Sequence, residues 1–129
     1  KHGETRRWKG LFPTGKIPVL LDPEVKTGSG APLEVFESGA ILLYLAEKYG
    51  ELLPTNEPEF FPARLTTLNW LFWGSSTFST ACKSFGFYHQ YCKDNLPYCR
   101  QRYTSEVLRL FGVLEQQLMH DRHWVIGGK

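Results

Sequence analysis

The sequence predicts two pieces of different class: an α+β piece ordered strand, strand, helix, and then an all-α piece. Three observations carry this. Strand-like runs bounded by turn residues lie between residues 17 and 37. Apolar residues recur at three and four over 38–49, 63–73 and 98–120. Between the two pieces stands "ELLPTNEPEFFPA" (51–63), with Pro54, Pro58 and Pro62 and no periodicity. A boundary is therefore expected near 55–60, which divides the chain into residues 1–56 and 57–129.

"IPVLLD" (17–22) is short, apolar and bounded by Gly15 and by Asp22-Pro23, the pattern of a buried strand. Pro18 sits at its start, where a missing ladder donor costs nothing. "PEVKTGSGAP" (23–32) is turn chemistry. "LEVFE" (33–37) alternates Leu33, Val35 and Glu37 against Glu34 and Phe36, so the two runs pair as a hairpin. Ser38 fits the cap of the helix that follows, and Gly50 fits the position past its end. Its apolar spacing predicts burial of Ile41, Leu42, Leu45 and Tyr49.

After the linker, "ARLTTLNWLFW" (63–73) is helical by its Leu65, Leu68, Leu71 and Phe72 spacing. "GSSTFSTACKSFGFYHQYC" (74–92) is irregular and predicts a broken helix or an aromatic-rich loop. Residues 98–120 form the clearest helix, with Tyr103, Val107, Leu110, Phe111, Leu114 and Leu118 on one stripe. Arg102 and Glu106 are an i,i+4 pair on it. Gly112 lowers its helix propensity and predicts a close helix contact there.

The 129 residues suffice for a packed core, and 42% hydrophobic with 15% aromatic content excludes a disordered chain. A net charge of 15 − 13 = +2 gives no footprint for nucleic acid. Three cysteines make an odd count, which predicts no disulfide framework and a reducing compartment. The longest mostly apolar stretch, 40–46, is far short of the roughly 20 residues of a membrane span. The expectation is a cytoplasmic protein without membrane or nucleic-acid partners. A start without Met in a charged stretch, and an end at "HWVIGGK", predict a fragment of a longer chain.

Four groups of residues carry possible chemistry. Ile17-Pro18 is either an ordinary edge proline or a cis turn that presents the Ile17 backbone to an added strand. Glu37-Ser38 is either a plain helix cap or a grip for a ligand with both charges. In the second case the first helical turn and the Ser38 hydroxyl take a carboxylate and Glu37 takes an ammonium. Phe85, Phe87, Tyr88, His89 and Tyr91 either pack in a core or line a pocket. Cys82, His89, Cys92 and Cys99 match no common zinc spacing, so no metal is expected.

Joined in this order, "GKIPVLLD", a Gly-rich turn, "FESGAILLYLAEKYG", a Pro-rich linker and a helical remainder resemble the glutathione S-transferase superfamily. "LNWLFW", "FGFYHQY" and "RYTSEVLRLFGVLEQQL" are most similar to its bacterial disulfide-bond oxidoreductase branch, often called Nu-class, a relative of the yeast nitrogen-regulation prion protein. The resemblance covers residues 11–129. It implies a partial thioredoxin-like domain over 1–56 followed by a partial all-helical domain, a truncated glutathione transferase fold.

It further implies glutathione as cosubstrate. The Ile17 backbone, at a cis Pro18, would pair with the cysteinyl part. Glu37 and Ser38 would hold the γ-glutamyl ammonium and carboxylate. Lys16 would lie near the glycyl carboxylate, and Arg102 would reach glutathione across a homodimer interface. Phe85, Phe87, Tyr88, His89 and Tyr91 would line a pocket for a small electrophile, disulfide or peroxide.

The sequence also departs from that pattern. The first strand, first helix and second strand of the fold are not recognisable. Phe12-Pro13 stands where the branch has Asn-Pro, and "SSTFSTACK" replaces a Gly-rich segment. The residue that activates the glutathione sulfur is expected upstream of Lys1, so its identity is unknown and the chain alone is expected to be inactive. Two functions follow from the resemblance: a glutathione-dependent transferase or disulfide-bond oxidoreductase/peroxidase, or a non-catalytic binding or regulatory protein with the same fold. A segment that never folds is a third expectation.

Overall fold

The computed structural model describes residues 13–119 and 124–126. The chain falls into two compact units that part between Leu53 and Pro54.

In the first unit, strands β1 (Val19–Lys26) and β2 (Pro32–Phe36) pair antiparallel. The register runs from Val19↔Phe36 to Asp22↔Leu33 and then jumps to Lys26↔Pro32. The jump has a local cause. Pro23 has no N–H for the ladder, and the Glu24 N–H turns aside to donate to Asp22 Oδ1 at 2.9 Å. Residues 23–26, expected to be turn, thus extend the strand past a bulge. The chain reverses at Thr27–Ala31, where the Gly30 N–H donates to the Thr27 carbonyl at 2.8 Å. Gly30 has φ 80°, a conformation that a side chain disfavours.

Helix α1 (Ser38–Tyr49) follows β2 directly. It ends at Gly50, in the left-handed region with φ 69° and ψ 24°, whose N–H donates to the Ala46 carbonyl. The expected burial along it is corrected. Gly39 and Ile41 are buried, but Leu42 is 56% and Tyr49 66% exposed. Residues three and four apart share a broad helix face, and α1 meets the hairpin with only part of that face. β1 is not a buried strand either. Its residues alternate: Leu20 is half-buried, Leu21 exposed and Asp22 buried at 6% exposure.

In the second unit, α2 (Phe61–Phe72) starts with Pro62 in its first turn, where the missing N–H has no helical acceptor anyway. It runs on through a π-helical segment (Trp73–Phe78), α3 (Ser79–Gly86) and a second π-helical segment (Phe87–Tyr91). The broken-helix reading of 74–92 is the one observed. Ser75 and Ser76 donate their hydroxyls to the carbonyls of Leu71 and Phe72, at 2.9 and 2.6 Å, which loosens the ladder where the wide turns occur.

Helix α4 (Pro97–Leu118) packs on α3. Ala81, Val107 and Leu110 form the core, and Trp73, Phe78, Cys82 and Phe85 close around it. Phe78 meets Trp73 in a stacked pair and Phe111 edge-on, each with centroids 5.3 Å apart. Gly112 marks no close contact among the described residues: a Cβ there would meet nothing within 4 Å. Among the described residues no helix is long and apolar enough to cross a membrane.

Candidate functional site

The register of the hairpin assembles the site. Val19 and Phe36 are its last paired residues, so Pro18 and Glu37 each stand one step beyond that rung, at the same end of the sheet. The Ile17-Pro18 peptide is cis. The residues alone left that open, and the resemblance implied it. Lys16 and Ile17 are exposed here, with Glu37 and Ser38 exposed beside them.

Glu37 is the unusual residue of the group. Its φ of 69° and ψ of 121° are a conformation that non-glycine residues seldom adopt. Its carbonyl accepts the first helical hydrogen bond, from the Ile41 N–H at 2.9 Å. The cap position of α1 is therefore Glu37, not Ser38, which is already the first helical residue. Among the described residues no side chain caps α1, and no acidic residue lies in its first turn. The turn presents its N–H groups and the positive end of the helix dipole, flanked by the Ser38 hydroxyl and the Glu37 carboxylate. Such a corner can take a carboxylate and an ammonium of one ligand.

Sequence reasoning missed the polar cluster behind this corner. Asp22 Oδ2 accepts from the Tyr44 hydroxyl at 2.6 Å and from Lys48 Nζ at 2.5 Å, while Lys48 also bonds Glu24 at 2.8 Å. Lys48 first, and then Tyr44, hold the Asp22 carboxyl well below the usual carboxylate range. The same contacts push Lys48 and Tyr44 above their ordinary values. The signal in the sequence was Tyr44 and Lys48 at a spacing of four, which puts both on one helix face.

The aromatic residues spread along one helical run. Phe85 packs on the core and lies 4.3 Å from the His89 ring, centroid to centroid. His89 Nε2 pairs with Thr104 Oγ1 at 3.0 Å. Tyr88 stacks on Tyr103 at 5.2 Å, and its carbonyl accepts from Arg100 Nε at 3.0 Å. Phe87 and Tyr91 are exposed. On α4, Arg102 lies on an exposed face with Tyr98, Gln101 and Ser105. Glu106 bonds Arg109 directly, and Arg102, its expected partner, acts on it as a nearby charge. The described cysteines are all free, and no group of three or more His, Cys, Asp or Glu among the described residues is placed to hold a metal.

Residues 1–47 match the family model described as the glutathione S-transferase, N-terminal domain. The chain is 41% identical over 110 residues to the disulfide-bond oxidoreductase YghU of Escherichia coli (strain K12), covering 85% of this chain and 35% of that protein. It is 40% identical over 117 residues to the disulfide-bond oxidoreductase YfcG of the same strain, covering 91% and 52%. A crystal structure of a glutathione transferase from Pseudomonas putida, with one glutathione disulfide bound per subunit, superposes with a TM-score of 0.75 at 39% identity. That match covers 88% of this chain and 47% of the other. The chain thus spans about half, or less, of the length of these relatives.

Proposed function

We propose, for a chain that belongs to the glutathione S-transferase superfamily, that residues 1–56 are the glutathione-holding part of a glutathione-dependent disulfide-bond oxidoreductase or transferase. The observation that carries this reading is the hairpin register, which sets the cis Ile17-Pro18 turn beside Glu37-Ser38. The cysteinyl part of glutathione pairs with the Ile17 backbone as an added strand. Its γ-glutamyl carboxylate meets the first turn of α1 and the Ser38 hydroxyl, and its ammonium meets Glu37. Lys16 takes the glycyl carboxylate.

The chemistry follows from the thiol so held. The glutathione thiolate attacks one sulfur of a disulfide, forming a mixed disulfide and releasing one thiol. A second glutathione thiolate attacks the glutathione sulfur of that mixed disulfide, giving glutathione disulfide and the second thiol. The glutathione disulfide bound by the Pseudomonas putida relative is the product of such a cycle, which supports this reaction over attack on an electrophile alone. In the same reading, residues 57–129 supply Phe85, Phe87, Tyr88, His89 and Tyr91 to the second substrate. Arg102 reaches glutathione across a homodimer interface in the cytoplasm.

Calorimetric titration of glutathione tests the proposal. The chain is expected to bind, and Glu37→Ala with Ser38→Ala is expected to lower affinity at least tenfold. Equal affinity in the two would overturn the site assignment.

A further inference from the structure

α1 carries Glu37 and Ser38 at one end, and few of its residues are fully buried. Gly39 and Ile41 are its buried residues, Leu43, Leu45 and Ala46 are half-buried, and Leu42 and Tyr49 are exposed. Its other attachment is polar and lies one to two turns further along. Tyr44 and Lys48 both bond Asp22 Oδ2, at 2.6 and 2.5 Å. Asp22 cannot swing to follow them, because its Oδ1 accepts the Glu24 N–H at 2.9 Å in the bulge of β1. Its carboxylate is buried, so a lost partner leaves a charge without compensation. The second contact of Lys48, Glu24, is largely exposed and holds less firmly.

We infer that Asp22, Tyr44 and Lys48 are positioning residues for glutathione binding: by clasping α1 to β1 they hold the Glu37-Ser38 turn beside the Ile17-Pro18 turn. A helix of 12 residues is a rigid rod about 18 Å long, so fixing it at Ile41 and at Lys48 fixes its first turn. The unusual backbone of Glu37 persists only where the surroundings determine it, and the clasp supplies that constraint from behind. Releasing it lets α1 lift from the hairpin as a unit. The role in binding rests on the glutathione reading above; the hold on Glu37 does not.

The amide of Ile41, bonded to the Glu37 carbonyl, reports the held state without any ligand. Hydrogen exchange of the full chain under native conditions is expected to be about tenfold faster at Ile41 in Lys48→Met and in Asp22→Asn. The double variant is expected to exchange no faster than either, and Lys48→Arg at the parent rate. A packing role would give the reverse, because Met keeps the aliphatic stem and Arg adds bulk. Tyr44→Phe, which keeps the ion pair, is expected to exchange about threefold faster, and it tests the clasp should Asp22→Asn unfold. Parent-rate exchange in Lys48→Met, or equal rates for Lys48→Arg and Lys48→Met, would overturn the inference. Glutathione titrated into the same samples is expected to bind Lys48→Met about tenfold more weakly than the parent. A parent chain that binds no glutathione while Ile41 responds as described would overturn the functional reading and leave the clasp's hold on Glu37 standing.

Discussion

Glu106 grips Arg109 at two points, Arg109 Nε to Oε2 at 2.8 Å and Nη2 to Oε1 at 2.7 Å. The spacing of four had paired Glu106 with Arg102, in the less favoured polarity. The choice matters because an arginine already committed to a carboxylate is poorly placed to take a second one. Arg102→Ala is expected to leave α4 as helical as before and to lower glutathione affinity severalfold. Arg109→Ala is expected to leave affinity unchanged and to shift the thermal midpoint by no more than about 2 °C. Circular dichroism melts and calorimetry on the two variants check this.

The Asp22 clasp gives the first unit a defined pH response. Asp22 titrates lower in the fold than its ordinary 3.8, so its contribution is present above that value. It is lost as pH falls through the depressed folded pKa. Lys48 titrates higher than its ordinary 10.5, so its contribution is present below that value and is lost as pH rises through the raised one. Melting midpoints are expected to change little between these limits and to fall progressively below about pH 4. In Asp22→Asn the part of the acid loss that this carboxylate causes is expected to vanish.

Leu110 is fully buried at the contact of α3 and α4. Leu110→Ala removes its packing against Ala81 and Val107 and leaves a cavity. The expected cost is about 3 kcal/mol, read as a lower urea midpoint at an unchanged slope.

Gly112 provides a test of the opposite sign. A methyl group there meets no described residue within 4 Å, so Gly112→Ala is expected to stabilise the chain by about 0.5–1 kcal/mol. A urea titration checks it. A loss of stability would mean that α4 carries a close neighbour at Gly112.

The order strand, strand, helix was legible because Gly, Pro and Asp punctuate it and because β-branched runs give way to a three-and-four spacing. Ser38 and Gly50 located the ends of α1 to within a residue for the same reason. What was not legible depends on partners far along the chain. Asp22 read only as the residue that bounds the first strand, since the groups that fix it lie 22 and 26 positions away. Leu42 and Tyr49 failed as core residues because a periodic pattern says which residues share a face, not how much of that face meets a neighbour. At Gly112 the sequence showed a weakened helix and not that no described residue lies against it. Of the site, Glu37-Ser38 was visible as a pair of residue types, whereas the backbone of Glu37 and its place beside Pro18 needed the register.

The most direct test of the account is to ask which backbone amides feel glutathione. In a ¹⁵N-labelled chain titrated with glutathione, the largest chemical-shift changes are expected at Ile17, Ser38, Gly39 and Ala40, and they are expected to disappear in Glu37→Ala with Ser38→Ala. Saturable shifts confined to other residues, with these four amides unmoved, would contradict it.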